Sequence, residues 1–141
     1  MTIRRFRGGA TAARCARRVV REEFGDALPK RRLADVELLV SELATNSVRH
    51  AGCDEGDELA MEADVRPDHV RVRLSDPGRG FEAASPRPPV TGSPGGYGLV
   101  LLERLSDRWG IQRDGGFTVW FEVERDRLPF GGERGPRART A

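Results

Sequence analysis

Apolar residues in this chain recur with two periods, one helical and one alternating, and the switches between them mark out the elements. From Ala10 to Phe24, Ala13, Ala16, Val19, Val20 and Phe24 fall at helical spacing with arginines between them, which predicts an amphipathic helix. Gly25, Asp26 and Pro29 break it. A second helix is predicted over Leu33–Arg49, with Leu33, Val36, Leu39, Val40, Leu43 and Val48 on its buried side. The period then changes to two. Glu58–Val65 alternates loosely and Val70–Leu74 cleanly, with Arg71 and Arg73 outward, and Arg66-Pro67-Asp68-His69 between them reads as a hairpin turn. Gly98–Leu105 is an apolar helix entered from a glycine-rich stretch. Trp109–Arg113 and Phe117–Val123 form a last hairpin around Asp114-Gly115-Gly116. The order helix, helix, two strands, loop, helix, two strands predicts an α/β (α+β) two-layer sandwich, with helices on one face of a mixed, mostly antiparallel sheet.

Composition adds bounds. With 141 residues, 38% of them hydrophobic, the chain amounts to one domain, expected over residues 1–127, with a basic, disordered tail over 128–141. Residues 82–96 collect proline, glycine and serine between apolar segments and read as a long loop, of the kind that commonly serves as a lid. No apolar run reaches membrane-spanning length and the basic N-terminus lacks the apolar stretch of a signal peptide, so a soluble, cytoplasmic protein is expected. Cys15 and Cys53 form no CxxC and have no histidine at ligand spacing, which argues for two reduced thiols and against a zinc site.

The net charge of +2 conceals segregation: residues 1–32 carry +7, residues 33–124 carry −8, and residues 125–141 carry +3. The acidic middle argues against a nucleic-acid groove through the body of the domain.

Three segments carry candidate chemistry. In the second helix Glu42 and Asn46 are four apart and project from one face; an amide oxygen suits Mg²⁺ and a carboxylate one turn away can orient or deprotonate a nucleophile, although the same spacing fits a solvated polar face. After the cleanest strand comes Asp76-Pro77-Gly78-Arg79-Gly80. Here a carboxylate can accept hydrogen bonds from an amino group and two glycines let backbone approach a flat ligand, though a plain turn reads the same way. Last, Gly95-Gly96-Tyr97-Gly98-Leu99 opens the third helix, offering backbone N–H groups to a phosphate or simply a hinge. It is neither a Walker A loop nor a dinucleotide fingerprint.

Taken in order, Glu42 and Asn46 on a helix, Asp-x-Gly-x-Gly after a strand and Gly-x-Gly-Leu before a helix resemble the N, G1 and G2 boxes of the GHKL ATPase and kinase superfamily and its Bergerat ATP-binding fold. SELATNSVRHAG, LSDPGRGF, GGYGLVLLERLSDRWG and TVWFEV are similar to one branch, the small stand-alone anti-sigma-factor serine/threonine kinases, over roughly residues 10–124. The resemblance implies that Asn46 binds Mg²⁺ at the phosphates and that Glu42 is the general base for an acceptor hydroxyl. It implies that Asp76 binds the adenine amino group with Gly78 and Gly80 beside the base, and that Thr118 assists Asp76. Gly96, Gly98 and Leu99, at the start of the following helix, would hold the phosphates, and residues 82–95 would be the ATP lid, with Arg87 its only cation. Arg49 and His50 match the family's basic residue and histidine, with a capping or packing role favoured for His50.

The function so implied is an ATP- and Mg²⁺-using protein kinase that phosphorylates an antagonist (anti-anti-sigma) protein, sequesters a sigma factor, or does both, without contacting nucleic acid or membrane. Pairing as a homodimer stays open. The alternative is a catalytically silent, ATP-dependent regulatory binding module; retention of Glu42 favours the kinase.

Overall fold

The computed structural model describes residues 1–50, 52–77, 97–113, 115–125 and 139–140. Among these residues six strands and three helices follow in the order β1 (Thr2–Arg7), α1 (Ala12–Phe24), α2 (Lys30–His50), β2 (Glu58–Val65), β3 (His69–Asp76), α3 (Tyr97–Leu105), β4 (Arg108–Gln112), β5 (Phe117–Glu124) and β6 (Arg139–Thr140). They build one mixed sheet in the order β1-β2-β3-β5-β4-β6, antiparallel except for the parallel β4–β6 pair. The helices cover one face, as the hydrophobic pattern requires. α1 packs on α2, β1 and β2, while α2 runs over β3 and β5 with α3 beside it.

The periodicities translate into burial, with Ala12 taking the core position expected of Ala13. Ala12, Ala16, Val19, Val20 and Phe24 of α1 point into the core, as do Val36, Leu39, Val40, Leu43 and Ala44 of α2. Alternate residues of the central strands meet them: Leu59, Met61 and Ala63; Val70, Val72 and Leu74; Val119, Phe121 and Val123. Val70 lies opposite Val123, Val72 opposite Phe121 and Leu74 opposite Val119, so β3 and β5 present one continuous apolar floor to α2. The predicted turn after β2 closes with the Arg66 N–H donating to the His69 carbonyl at 2.8 Å.

Two elements depart from the sequence reading. The first residues are a strand, β1, at the sheet edge. Its apolar residues, Ile3 and Phe6, are three apart and therefore on opposite faces; Phe6 packs against the core while Ile3 remains 45% exposed. On the helix side Arg4 reaches Glu22 at 2.7 Å and Glu23 at 3.3 Å, tying β1 to α1. The second departure is β6: Arg139 and Thr140, expected in a disordered tail, pair with Trp109 and Gly110 of β4. The rest of that tail up to residue 138, together with the expected loop and lid over 82–96, lies outside the described residues.

The β1–α1 turn is pressed onto the segment after α2. The Gly8 and Gly9 N–H groups donate to the carbonyls of Asp57 and Cys53, both at 3.0 Å. A Cβ on Gly8 would lie 2.5 Å from the Asp54 carbonyl oxygen, and Gly9 adopts φ +82°, so both positions require glycine. The opposite end of the sandwich is closed by Arg32, whose guanidinium donates to Asp107 at 3.0 Å and to the Glu124 carbonyl at 3.3 Å.

Part of the basic excess of the N-terminal third is absorbed within the fold. Arg18 pairs with Glu22, Arg21 with Glu37 of α2, and Arg17 donates to the Ser41 hydroxyl at 2.7 Å. Among the described residues no helix is long and apolar enough to cross a membrane.

Candidate functional site

The site grows from the C-terminal half of α2 and the end of β3. Glu42 and Asn46 are one turn apart on α2, both half-buried. The Asn46 Oδ1 is fully removed from solvent and accepts no hydrogen bond among the described residues. A buried amide oxygen costs free energy unless a donor or a cation meets it. An amide oxygen so placed fits the donor chemistry that a hard cation such as Mg²⁺ would take.

One position along the helix, Ser47 faces inward. Its hydroxyl donates to Asp76 Oδ2 at 2.9 Å, which joins α2 to the end of β3. Ser47 is 9% and Asp76 7% exposed. The carboxylate stands on the same sheet face as Val70, Val72 and Leu74, as the last member of that alternating row. Apolar residues occupy that row up to Asp76, where the strand reaches the rim of the core.

Cys53 borders the same region. Its thiol is 1% exposed and its pKa is pushed up to about 12, first by burial and then by the negative charges of Asp76, Asp57 and Asp54. Cys53 is therefore a protonated packing residue.

Not every expected site residue falls here. Thr118 lies across from Ser75, and the two hydroxyls bond at 2.8 Å on the sheet face turned away from α2. That face carries Arg71 stacked over Trp120 at 4.8 Å and the Arg73–Glu62 pair at 3.1 Å. The expectation that Thr118 assists Asp76 is corrected. The strand alternates, and the residue directly opposite Asp76 is Phe117, which packs against the core. Gly98 and Leu99 lie in the first turn of α3, and Leu99 packs against the core. Gly78, Gly80, Gly96 and Arg87 lie outside the described residues, as does the side chain of His50; Arg49 is exposed.

Ser47 and Phe117 were not singled out from the sequence. Ser47 had left a signal: it falls four after Leu43 on the buried stripe of α2, where a hydroxyl needs a partner. Gly116 belongs with them, because a Cβ there would lie 2.7 Å from the Asp76 carbonyl oxygen.

The arrangement is an α/β sandwich in which a helix carrying a buried amide oxygen lies over a strand that ends in a buried carboxylate. The histidine kinase-like ATPase domain family matches residues 7–123, and the chain belongs to that family. Among its relatives, the serine-protein kinase RsbW of Listeria innocua is 35% identical over 98 residues, covering 62% of each chain. RsbW of Bacillus licheniformis is 34% identical over 112 residues, covering 70% of each. The chain thus spans 62% of the length of the Listeria relative. A solved catalytic domain of the histidine kinase ThkA shares 15% identity and a TM-score of 0.47, covering 89% of this chain and 97% of that one.

Proposed function

We infer that this chain is an ATP-dependent serine/threonine protein kinase of the anti-sigma-factor type, acting in the cytoplasm to phosphorylate an antagonist protein, to sequester a sigma factor that competes with that antagonist for the kinase, or to do both. The observation that carries this reading is the Oδ1 of Asn46, buried and without a hydrogen-bond partner among the described residues, one residue from the Ser47–Asp76 bond. Membership of the ATPase family and likeness to relatives named as serine-protein kinases support it.

On this reading the residues divide the work. Asp76 accepts the adenine amino group from a carboxylate held in place by α2. Asn46 holds Mg²⁺ through its amide oxygen, and Gly96, Gly98 and the first turn of α3 hold phosphate oxygens with backbone N–H groups. Bound Mg²⁺ neutralises phosphate charge and aligns the terminal phosphoryl group for transfer. Glu42, one turn before Asn46 and half-buried, takes the proton from the attacking serine or threonine hydroxyl. Phosphoryl transfer asks for little more than positioning, charge neutralisation and an oriented acceptor, which this small domain can supply alone.

The test is transfer of labelled γ-phosphate from Mg·ATP to the serine-bearing antagonist-fold protein of the same genome, with wild type and Glu42→Ala side by side. Transfer by the wild type and none by the variant, with ATP binding retained in both, is the expected result. ATP binding without transfer by the wild type would replace the kinase with a nucleotide-gated binding module.

A further inference from the structure

Serine within a helix ordinarily donates to the carbonyl one turn back. Among the described residues Thr45 donates in this way to the Ser41 carbonyl at 2.8 Å, and Ser106, just after α3, to the Leu102 carbonyl. Ser47 does otherwise. Its hydroxyl donates instead across from α2 to Asp76 Oδ2 of β3, at 2.9 Å, inside the core. Its own carbonyl accepts the Cys53 N–H at 3.2 Å, so the backbone at this point is anchored as well.

A hydroxyl has one proton and two lone pairs, and an ionised carboxylate has only lone pairs, so the direction of this bond is fixed. With the Ser47 O–H engaged by Asp76, the pair offers the base lone pairs and no donor. A purine bearing a 6-amino group brings N–H donors to such a surface. A purine bearing a 6-oxo group brings a further acceptor, and buried acceptors facing one another are a strong basis for rejection.

We propose that Ser47 is a positioning residue that sets base selectivity. By donating to Asp76 it fixes the carboxylate plane and keeps its own hydroxyl from offering a donor to the base, so that the site takes 6-aminopurine nucleotides and rejects 6-oxopurine ones. This rests on the reading of Asp76 as the base-binding carboxylate. It also links the two ends of the nucleotide, because Ser47 adjoins Asn46 and both ride on the same turn of α2.

The experiment is calorimetric titration of the full chain, with Mg²⁺ present, by ATP, GTP and purine riboside triphosphate, which lacks any 6-substituent. Wild type, Ser47→Ala, Ser47→Thr and Asp76→Asn are compared, each checked for folding by thermal denaturation. Ser47→Ala is expected to bind ATP about tenfold more weakly, the loss typical of a hydrogen bond to a charged group, and to narrow the preference for ATP over GTP by the same factor. Its affinity for purine riboside triphosphate should not change, and Ser47→Thr should restore the wild-type pattern. Equal weakening towards ATP and purine riboside triphosphate would mean that Ser47 only supports the fold, and the proposal fails; unchanged ATP affinity overturns it as well. Wild-type ATP affinity in Asp76→Asn would instead remove the underlying reading of the base site. If Ser47→Ala does not fold, Ser47→Cys, of similar size and a weak donor, carries the same comparison with the same deciding outcomes.

Discussion

Replacing Gly116 by alanine puts a methyl group where the end of β3 already is. The added Cβ would lie 2.7 Å from the Asp76 carbonyl oxygen and 3.8 Å from the Pro77 carbonyl carbon. Ordinary carbon–oxygen contact begins at about 3.3 Å, so one chain must yield by roughly 0.6 Å. The obstacle is backbone, with no flexible side chain to swing aside, and the yielding piece is the residue that carries the proposed base-reading carboxylate. Overpacking of this kind costs about 1–3 kcal/mol. At about 2 kcal/mol, a domain of this size loses roughly 6–10 °C in Tm. Displacement of Asp76 by about half an ångström should also weaken ATP roughly tenfold, since misplacements near 1 Å cost about a hundredfold in comparable sites.

The neighbouring residue is the control. Gly115 has φ +68° and nothing within 4 Å of an added Cβ, so Gly115→Ala pays only left-handed strain of about 1 kcal/mol and should leave ATP affinity alone. Thermal denaturation and calorimetric ATP titration of both variants decide the matter. If Gly116→Ala keeps wild-type stability and affinity, or if Gly115→Ala weakens ATP as much, the contact with β3 does not position Asp76.

Four other perturbations have defined outcomes. Asp107→Ala removes the acceptor of both the Arg32 guanidinium at 3.0 Å and the Glu124 N–H at 2.8 Å, and should cost about 2–3 kcal/mol in urea denaturation without altering ATP binding; a loss within error would show that Asp35, 3.6 Å from Arg32, suffices. The native Cys53 thiol keeps its proton to a pH of about 12, whereas in the unfolded chain it ionises near ~8.5, so stability should fall as pH rises through that interval and less so in Cys53→Ala. A thiol reagent at pH 8 should titrate half-buried Cys15 readily and Cys53 only on unfolding; two equally fast thiols would contradict that burial. Asn46→Ala should bind ATP with an affinity that no longer rises when Mg²⁺ is added, and a retained Mg²⁺ response would assign the cation to other ligands.

The helices and the central strands were legible because each has a strong period of its own, set by burial on one face. β1 was not: Ile3 and Phe6 point to opposite faces and arginines fill the rest, so the strand exists because β2 offers it an edge and Arg4 finds Glu22 and Glu23. The same limit explains Thr118. A single strand displays its alternation, but which residue stands opposite Asp76 is fixed by the β3–β5 register, and that register selects Phe117. The Arg32–Asp107 closure joins residues 75 apart in sequence, beyond any local pattern. Glu42, Asn46 and Asp76 are candidates because motif spacing records them. Ser47 became meaningful only when its partner on β3 was known.

The central claim is that the buried end of β3, beneath α2, holds the base of ATP. Calorimetric titration of Mg·ATP into the full chain, with Asp76→Asn set against Asp107→Asn, tests it most directly. The account predicts that Asp76→Asn loses ATP binding while Asp107→Asn, altered at the far end of the sandwich, binds as the wild type does. ATP binding of wild-type strength in Asp76→Asn would contradict it.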